Sequence, residues 1–359
     1  MHDRPATPPR SICLLRLSAL GDVTHVVPLI RTLRAAWPGV QLTWVIGRGE
    51  HRLLEGLEGV EFVEYDKKSG FAGMRELGKT LRAQLGDAKR FDALLQMQVA
   101  ARANLLSAFV PARMRVGYDH ARSKDLHGLF VNTRIPDRPG IHVLDAIGSF
   151  CEPLGLRQTE VRWDLPVPHE AHAWAREQWD DDGRRVLLIS PCSSHVRRNW
   201  RSDHYAAVAN HALQRGWRVV LCGGRSTLER ETGDAILAQL KQPALDLIGK
   251  DTLKQLPALL SRADLVMTPD SGPMHIANAM GTKVLGLHAA SNPRRSGPYS
   301  NLRYCVDRYD DAARKYLRKP GDALAWGTKI EFDDVMDLVT VDDGIAAFER
   351  YVADFAAVP

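Results

Sequence analysis

Long hydrophobic runs are missing from this chain. No stretch of about 18 or more uncharged apolar residues occurs, so no membrane-spanning helix is expected. The opening residues, MHDRPATPPR, are polar and proline-rich and lack the apolar centre of a secretory leader. The chain is therefore expected in the cytoplasm. Cysteine is sparse: Cys13, Cys151, Cys192, Cys222 and Cys305 are scattered, with no C-x-x-C pair and no zinc spacing. That is the pattern of reduced, buried thiols, not of a disulfide framework or a metal site. Internal repeats and low-complexity segments are absent too.

Two nucleotide fingerprints are also lacking. A dinucleotide-binding turn needs G-x-G-x-x-G after a strand. The nearest approach, IGRGEHR, has Gly47 and Gly49 but Arg52 where the third glycine belongs, and the turn SALGDV has a single glycine. No Walker A lysine motif exists either, so a nicotinamide-dependent dehydrogenase is set aside. No nucleic-acid-binding module accompanies the basic residues. No carboxylate pair of the kind that holds a metal–diphosphate complex is recognised, so no bound metal is expected.

What is present is ordinary in bulk and informative in order. With 359 residues, 45% hydrophobic and 25% charged, the chain is a globular protein long enough for two domains. The formal charge is +5, unevenly spread. Residues 101–138 carry Arg102, Arg113, Arg115, Arg122, Lys124, Arg134 and Arg138, interleaved with Tyr118, His120 and His127, whereas the C-terminal part is net acidic. Such a stretch is either a solvated face or a magnet for an anionic partner.

Short apolar runs alternate with helical patterns. SICLLRL, QLTWVIG, EFVEYD, FDALLQMQ and MRVGYD read as strands in the first half; RRVLLIS, WRVVLCGG, LDLIG, DLVMTPDS and KVLGLHAA do so in the second. Amphipathic stretches such as THVVPLIRTLRAAW and HYAAVANHALQRG separate them. Strands separated by helices predict parallel sheets with right-handed crossovers. The rhythm breaks at the prolines of RWDLPVPHEAHAW, then restarts, which predicts two Rossmann-like halves. VDDGIAAFERYVADF reads as a closing helix with acids in its first turn.

In open parallel sheets, ligands bind beyond the carboxyl ends of the strands, and several loops there have unusual composition. SPCSSHVRRNW offers hydroxyls and guanidinium groups, which suit a phosphate or a helix-capping polar turn equally well. LCGGRS brings Gly223 and Gly224, able to let backbone approach a ligand or simply to turn. TPDSGPMHIANAMG ends a strand in Asp270-Ser271-Gly272-Pro273 and starts a helix carrying His275, an arrangement that caps a helix and can receive an anion. Asp22 follows the first strand's turn. It is either a first-turn acid or a catalytic carboxylate.

Three segments in this order, SALGDVTHVVPLIRTLR, SSHVRRNW and TPDSGPMHIANAMGTKVLGLHAASNPRRSGPY, resemble the ADP-heptose:lipopolysaccharide heptosyltransferases of glycosyltransferase family nine, over roughly residues 11–305. The closing AWGTKIEFDDVMDLVTVDDGIAAF resembles tails found in that family. The resemblance implies an α/β chain of the GT-B fold, two Rossmann-like domains facing each other across a central cleft. An acceptor-binding domain is expected over 1–165 and a nucleotide-sugar domain over 166–335. The closing segment 336–359 is expected to pack back on the first.

It further implies an inverting transfer of heptose from ADP-heptose to an anionic, lipid-linked inner-core saccharide, with Asp22 as general base. The donor would meet Ser193, Ser194, Gly223, Gly224, Asp251, Thr252, Asp270, Ser271, Gly272, Pro273 and His275. Arg198 stands where the family often has a lysine, and Pro273 where it usually has leucine. The acceptor would meet Ser18, Gly21, Arg115, Tyr118 and Arg122. Such an enzyme needs no cofactor or nucleic acid and would work peripherally at the inner face of the cytoplasmic membrane. Another nucleotide sugar, an epimerase on the same scaffold, and a non-catalytic nucleotide-sugar-binding protein are the competing readings.

Overall fold

The computed structural model describes residues 8–158 and 160–355, which divide into two compact units, Met1–Pro166 and Val167–Pro359. The division falls within the segment of two prolines.

The first unit is built on strands β1 (Ser11–Leu15), β2 (Gln41–Gly47), β3 (Glu61–Tyr65), β4 (Phe91–Gln96), β5 (Ala112–Gly117) and β6 (Thr133–Arg134). All pair in parallel in the order β3-β2-β1-β4-β5-β6. The β1 strand is buried along its whole length, as a central strand covered on both faces must be. Its Cys13 and Leu15 pack with Met74, Leu77 and Leu81 of helix Gly70–Leu85 and with Ala103 and Leu106 of helix Ala101–Ser107. The alternate residues Ile12 and Leu14 point to the other face. The stretch expected as one helix after β1 is two, Leu20–Thr24 and Val27–Ala36, with Pro28 in the first turn of the second.

The second unit repeats the plan. Strands β7 (Val186–Ile189), β8 (Arg218–Leu221), β9 (Leu245–Asp246), β10 (Leu265–Pro269), β11 (Lys283–His288) and β12 (Val306–Asp307) form a parallel sheet in the order β12-β11-β10-β7-β8-β9. Numbered within each unit, both sheets run 3-2-1-4-5-6, the doubly wound order. The ten strands read from the sequence all form. Strands β6 and β12, each of two residues like β9 but without an apolar run such as LDLIG around them, are additions.

The closing helix, Val341–Phe355, lies in the second unit. Ala347, Phe348 and Tyr351 belong to that unit's core, with Phe348 and Tyr351 packed edge-on to Trp217 at 4.9 and 5.8 Å. Arg308 holds Asp343 at 2.6 Å and His211 meets Glu349 at 2.6 Å. Its apolar face packs on the second unit's helix Ser202–Gln214 and its neighbours.

Candidate active site

Each doubly wound sheet has a switch point where the crossovers depart in opposite directions, between β1 and β4 in the first unit and between β7 and β10 in the second. Loops there diverge and leave room for a ligand. Of the residues picked from the sequence, Ser18, Gly21 and Asp22 follow β1, and Ser193, Ser194, Arg198, Asp270, Ser271, Gly272, Pro273 and His275 follow β7 and β10, whereas Gly223 and Gly224 follow β8, Asp251 and Thr252 follow β9, and Arg115, Tyr118 and Arg122 lie on or after β5.

At the first switch point the chain leaves β1 through Arg16 and enters helix Leu20–Thr24, whose third residue is Asp22. The Asp22 Oδ2 accepts a hydrogen bond from the Ala19 N–H at 3.1 Å and pairs with Arg16 Nη2 at 2.6 Å. The first contact is half of a capping box, the structural task a first-turn acid performs. The second belongs to the site: Arg16 is a buried cation, and although burial opposes its charge, Asp22 and Tyr118 together more than restore it. The carboxylate itself keeps a third of its side chain exposed.

The turn is held from the neighbouring strand. Gln98, just beyond β4, accepts from the Leu17 N–H at 2.7 Å and donates to the Ser18 hydroxyl at 3.3 Å. Gly47, at the end of β2, donates its N–H to the Leu17 carbonyl at 3.2 Å. A Cβ on Gly47 would stand 2.6 Å from that oxygen, so only glycine permits the approach. Gly21 is buried in the helix beside Asp22 and its carbonyl accepts from Thr24 Oγ1 at 2.6 Å. Tyr118 is buried at the end of β5, edge-on to Phe150, with its hydroxyl 3.4 Å from the Met97 carbonyl.

The two arginines expected on an acceptor both have partners within the first unit. Arg115 turns inward and donates to the carbonyls of Phe130 (2.7 Å), Val110 (2.9 Å) and Ser107 (2.5 Å). Helix Ala101–Ser107 ends there, and Arg115 satisfies carbonyls that its last turn leaves open. Arg122 is buried in a pair with Asp119 and donates also to the Arg138 carbonyl. Both serve the fold of the 118–138 region.

The second switch point gathers more charge. Asp270 ends β10 nearly buried, its carboxylate 2.8 Å from Lys329 Nζ, 3.7 Å from Arg198 Nη1 and 3.9 Å from His275 Nε2. Burial alone would raise its pKa, but Lys329 and the neighbouring imidazoles hold it well below the usual carboxylate range. Arg198 in turn is held by Glu331 Oε1, through Nε at 3.0 Å and Nη2 at 2.6 Å. Burial, with Arg295 and Arg198 nearby, makes the Lys329 ammonium easier to deprotonate than a free lysine. The cations are crowded.

Around this core lie the other predicted residues. Ser271 caps helix Gly272–Ala279, accepting from the Met274 N–H at 3.4 Å and bonding the Thr268 hydroxyl at 2.8 Å. Gly272 and Pro273 form its first turn, with His275 buried behind them. Ser193 is largely spent on its own turn, bonding the His195 backbone at 2.9 and 3.1 Å, while Ser194 is exposed. Gly224 donates to Glu229 Oε1 at 2.6 Å, so the glycine pair serves the Ser226-capped helix Thr227–Leu237. A Cβ on Gly224 would meet that carboxylate at 2.8 Å. Thr252 and Gln255 cap one another at the next helix, and Asp251, half-buried near Glu229, has its pKa pushed up to about 6 chiefly by burial.

Lys329, Glu331 and His288 were not picked from the sequence. A signal existed: in Lys329-Ile330-Glu331 the apolar residue is fully buried and its N–H bonds the Ala290 carbonyl at 2.9 Å, while its charged neighbours reach Asp270 and Arg198. That is strand-like alternation, on three residues only.

The histidines make acid stability a measurable property. His127 Nε2 accepts from the Tyr118 N–H at 3.1 Å and Nδ1 faces Asn104 Oδ1 at 2.8 Å, a pattern that only the neutral ring satisfies. Burial, with Arg134 nearby, pushes its pKa down to about 4. The unfolded chain binds this proton near pH 6.5 and the folded one only near 4. The His127 contribution is therefore complete above pH 6.5 and shrinks on acidification, by about 3 kcal/mol at pH 4. His288, also about 4 through burial, adds a loss of the same sign in the second unit, whereas Asp251 acts oppositely, costing stability as pH rises from about 4 to 6. In urea titrations the acid slope is expected to be shallower in His127→Gln; an unchanged slope would remove His127 from the account.

Two α/β units of one strand order, one presenting Asp22 at its switch point and the other Asp270 with Lys329 and Arg198, have the architecture of the GT-B class. The chain belongs to glycosyltransferase family 9 (heptosyltransferase), whose model matches residues 74–322. It is 39% identical to the lipopolysaccharide core heptosyltransferase OpsX of Haemophilus influenzae, over 95% of this chain and 97% of that one. Among solved structures, a glycosyl transferase family 9 protein from Veillonella parvula superposes with a TM-score of 0.82 at 22% identity, covering 98% of this chain and all of that one. The ADP-heptose lps heptosyltransferase II of E. coli gives 0.72 at 19% identity, covering 97% and 100%. The last two likenesses are of fold.

Proposed function

We propose that the chain transfers heptose from ADP-heptose to an inner-core saccharide of lipopolysaccharide with inversion, Asp22 acting as general base. One observation carries the reading: the duplicated strand order offers two switch points, one holding the partly exposed carboxylate of Asp22 beside Arg16 and the other gathering Lys329 and Arg198 around buried Asp270. A carboxylate suits the deprotonation of an acceptor hydroxyl. Crowded cations suit a diphosphate, which they would stabilise as it leaves.

In this reaction the acceptor oxygen attacks C1 of the sugar from the face away from the diphosphate, passing an oxocarbenium-like transition state. Its proton passes to Asp22 and the C1–oxygen bond to ADP breaks. Diphosphate leaves readily, so no second carboxylic acid is required. Arg16 keeps the Asp22 carboxylate in one orientation. Arg198 and Lys329 receive the diphosphate with Ser194 and the Ser271-capped helix start, and Gly223, Gly224, Asp251 and Thr252 border the nucleoside. Ser18, Gly21 and Tyr118 shape the acceptor side. The enzyme works at the inner face of the cytoplasmic membrane, where a lipid-linked acceptor is found.

Calorimetric titration with ADP-heptose, UDP-glucose and GDP-mannose tests the donor. Selective binding of ADP-heptose is expected; preference for a uridine or guanosine sugar would overturn the donor assignment. Arg198→Ala should weaken donor binding about 10- to 100-fold, the worth of charge-assisted hydrogen bonds to phosphate. Unaltered donor binding would leave Arg198 as a partner of Glu331 alone.

A further inference from the structure

Eight large apolar side chains are strongly exposed among the described residues, and four of them share one face of the first unit: Phe71 (59% exposed), Leu105 (43%), Leu126 (73%) and Leu129 (78%). The segments that bear them touch. Phe71 opens helix Gly70–Leu85 and meets Phe109 edge-on at 5.3 Å. Arg102, one turn before Leu105 on helix Ala101–Ser107, donates to the Lys67 carbonyl at 2.9 Å. The Ala101 N–H bonds Asp125 at 3.1 Å, and Asn104 holds the Asp125 carbonyl at 2.9 Å. Leu126 and Leu129 follow on that same loop.

Presentation of Leu126 is imposed by the backbone. Asp125 and Leu126 both have positive φ, 52° and 59°. Two consecutive non-glycine residues in this region are uncommon, and a leucine is disfavoured there. Asn104 and Ala101 brace the turn, yet the side chain so displayed packs on little. A loop braced to expose leucine fits a role outside the folded core.

Charge surrounds the apolar group. Lys68 and Lys124 are exposed and make no ion pair among the described residues, and Arg102 is exposed beside them. The nearby acids are turned to backbone: Asp66 accepts from the Lys68 N–H at 2.8 Å and Asp125 from Ala101. Only Lys67 has a carboxylate partner, Glu50 at 3.2 Å. Lys68, Lys124 and Arg102 outnumber the exposed carboxylates Asp66 and Asp125, and apolar side chains beside such an excess of cations are complementary to an anionic bilayer surface. Among the described residues no helix is long and apolar enough to cross a membrane, so the contact is interfacial.

We infer that this face, Leu126 and Leu129 at its tip with Phe71, Leu105, Lys68 and Lys124 around them, docks the enzyme on anionic lipid. The inference deepens the lipid-linked acceptor reading and rests on it. The segments carrying Lys67, Arg102 and Leu126 follow β3, β4 and β5, at the same ends of the strands from which Asp22 follows β1. A docked enzyme thus keeps Asp22 near the sugar while the lipid stays in the bilayer.

The test is co-sedimentation of the full chain with vesicles of phosphatidylcholine alone or mixed with phosphatidylglycerol. Binding is expected only with the anionic vesicles, weakening with salt. Leu126→Ser with Leu129→Ser should lower the partition coefficient about tenfold or more. Lys68→Glu with Lys124→Glu should abolish the lipid-charge preference and serves should the leucine variant fold poorly. Turnover of a water-soluble, lipid-free acceptor should be unchanged in the leucine variant, so failure of docking and failure of the transferase reading are read separately. Absence of wild-type binding, wild-type partition by both variants, or a chain dimer that dissociates on the leucine substitutions would overturn the inference.

Discussion

Asp22→Asn is expected to lower kcat by about 10²- to 10⁴-fold, the usual contribution of a positioned general base, while ADP-heptose still binds. The substitution separates the two roles the structure gives this residue. Asparagine keeps a side-chain oxygen at the position that accepts the Ala19 N–H at 3.1 Å, so the helix start survives. It loses the charge opposite the buried Arg16, which lowers stability somewhat, but Arg16 keeps its hydrogen bond to the Met97 carbonyl at 2.5 Å and the Asp22 oxygen stays partly in solvent. A residue that only capped would leave turnover within a few-fold of wild type. Steady-state kinetics, donor calorimetry and urea unfolding on the same preparation give the answer. Loss of kcat with intact donor affinity and stability establishes the base; equal losses in all three would make Asp22 structural.

Much of the architecture was legible because the chain announces it twice. Ten strands separated by amphipathic helices leave periodic signals, and three of the loops of unusual composition follow strands that prove central, β1, β7 and β10, the fourth following β8. The residues at these loops owe their legibility to local chemistry. Ser271 before Gly272-Pro273 is a helix start whatever the tertiary structure does.

Charge partners were less legible. Arg115 sits in a run that looks like a basic surface, yet its guanidinium closes the carbonyls ending helix Ala101–Ser107. Arg113, two residues earlier on the same strand, is exposed. Strand periodicity puts both on one face, so nothing local distinguishes them; the open helix end that selects Arg115 is brought there by folding. Arg122 does carry a local signal: Asp119 lies three residues before it, and the two form a buried pair. Lys329 lies 59 residues from Asp270, and Glu331 lies 133 from Arg198. Such pairs are products of topology. The closing helix illustrates the same limit: its apolar stripe says that it packs, and only the structure says that Trp217 and Tyr304 receive it.

The Asp270–Lys329 pair yields the largest expected stability effect. Asp270 is the negative centre of a buried cluster that also contains Arg198, His275 and His288. Asp270→Ala leaves these groups and Lys329 facing one another without their carboxylate, so unfolding free energy should fall by about 3–5 kcal/mol, the cost of orphaning a buried charge. Lys329→Met should cost less, because Arg198 still stands 3.7 Å from the carboxylate. If the pair acts as a unit, joining Asp270→Asn to Lys329→Met should restore much of the lost stability, as neutral groups replace both charges. The donor adds a second test. In the proposed site Lys329 meets the diphosphate as well as Asp270, so the double variant should recover stability without recovering ADP-heptose affinity. Recovery of both would make Lys329 a counter-ion to Asp270 alone, with Arg198 carrying the diphosphate.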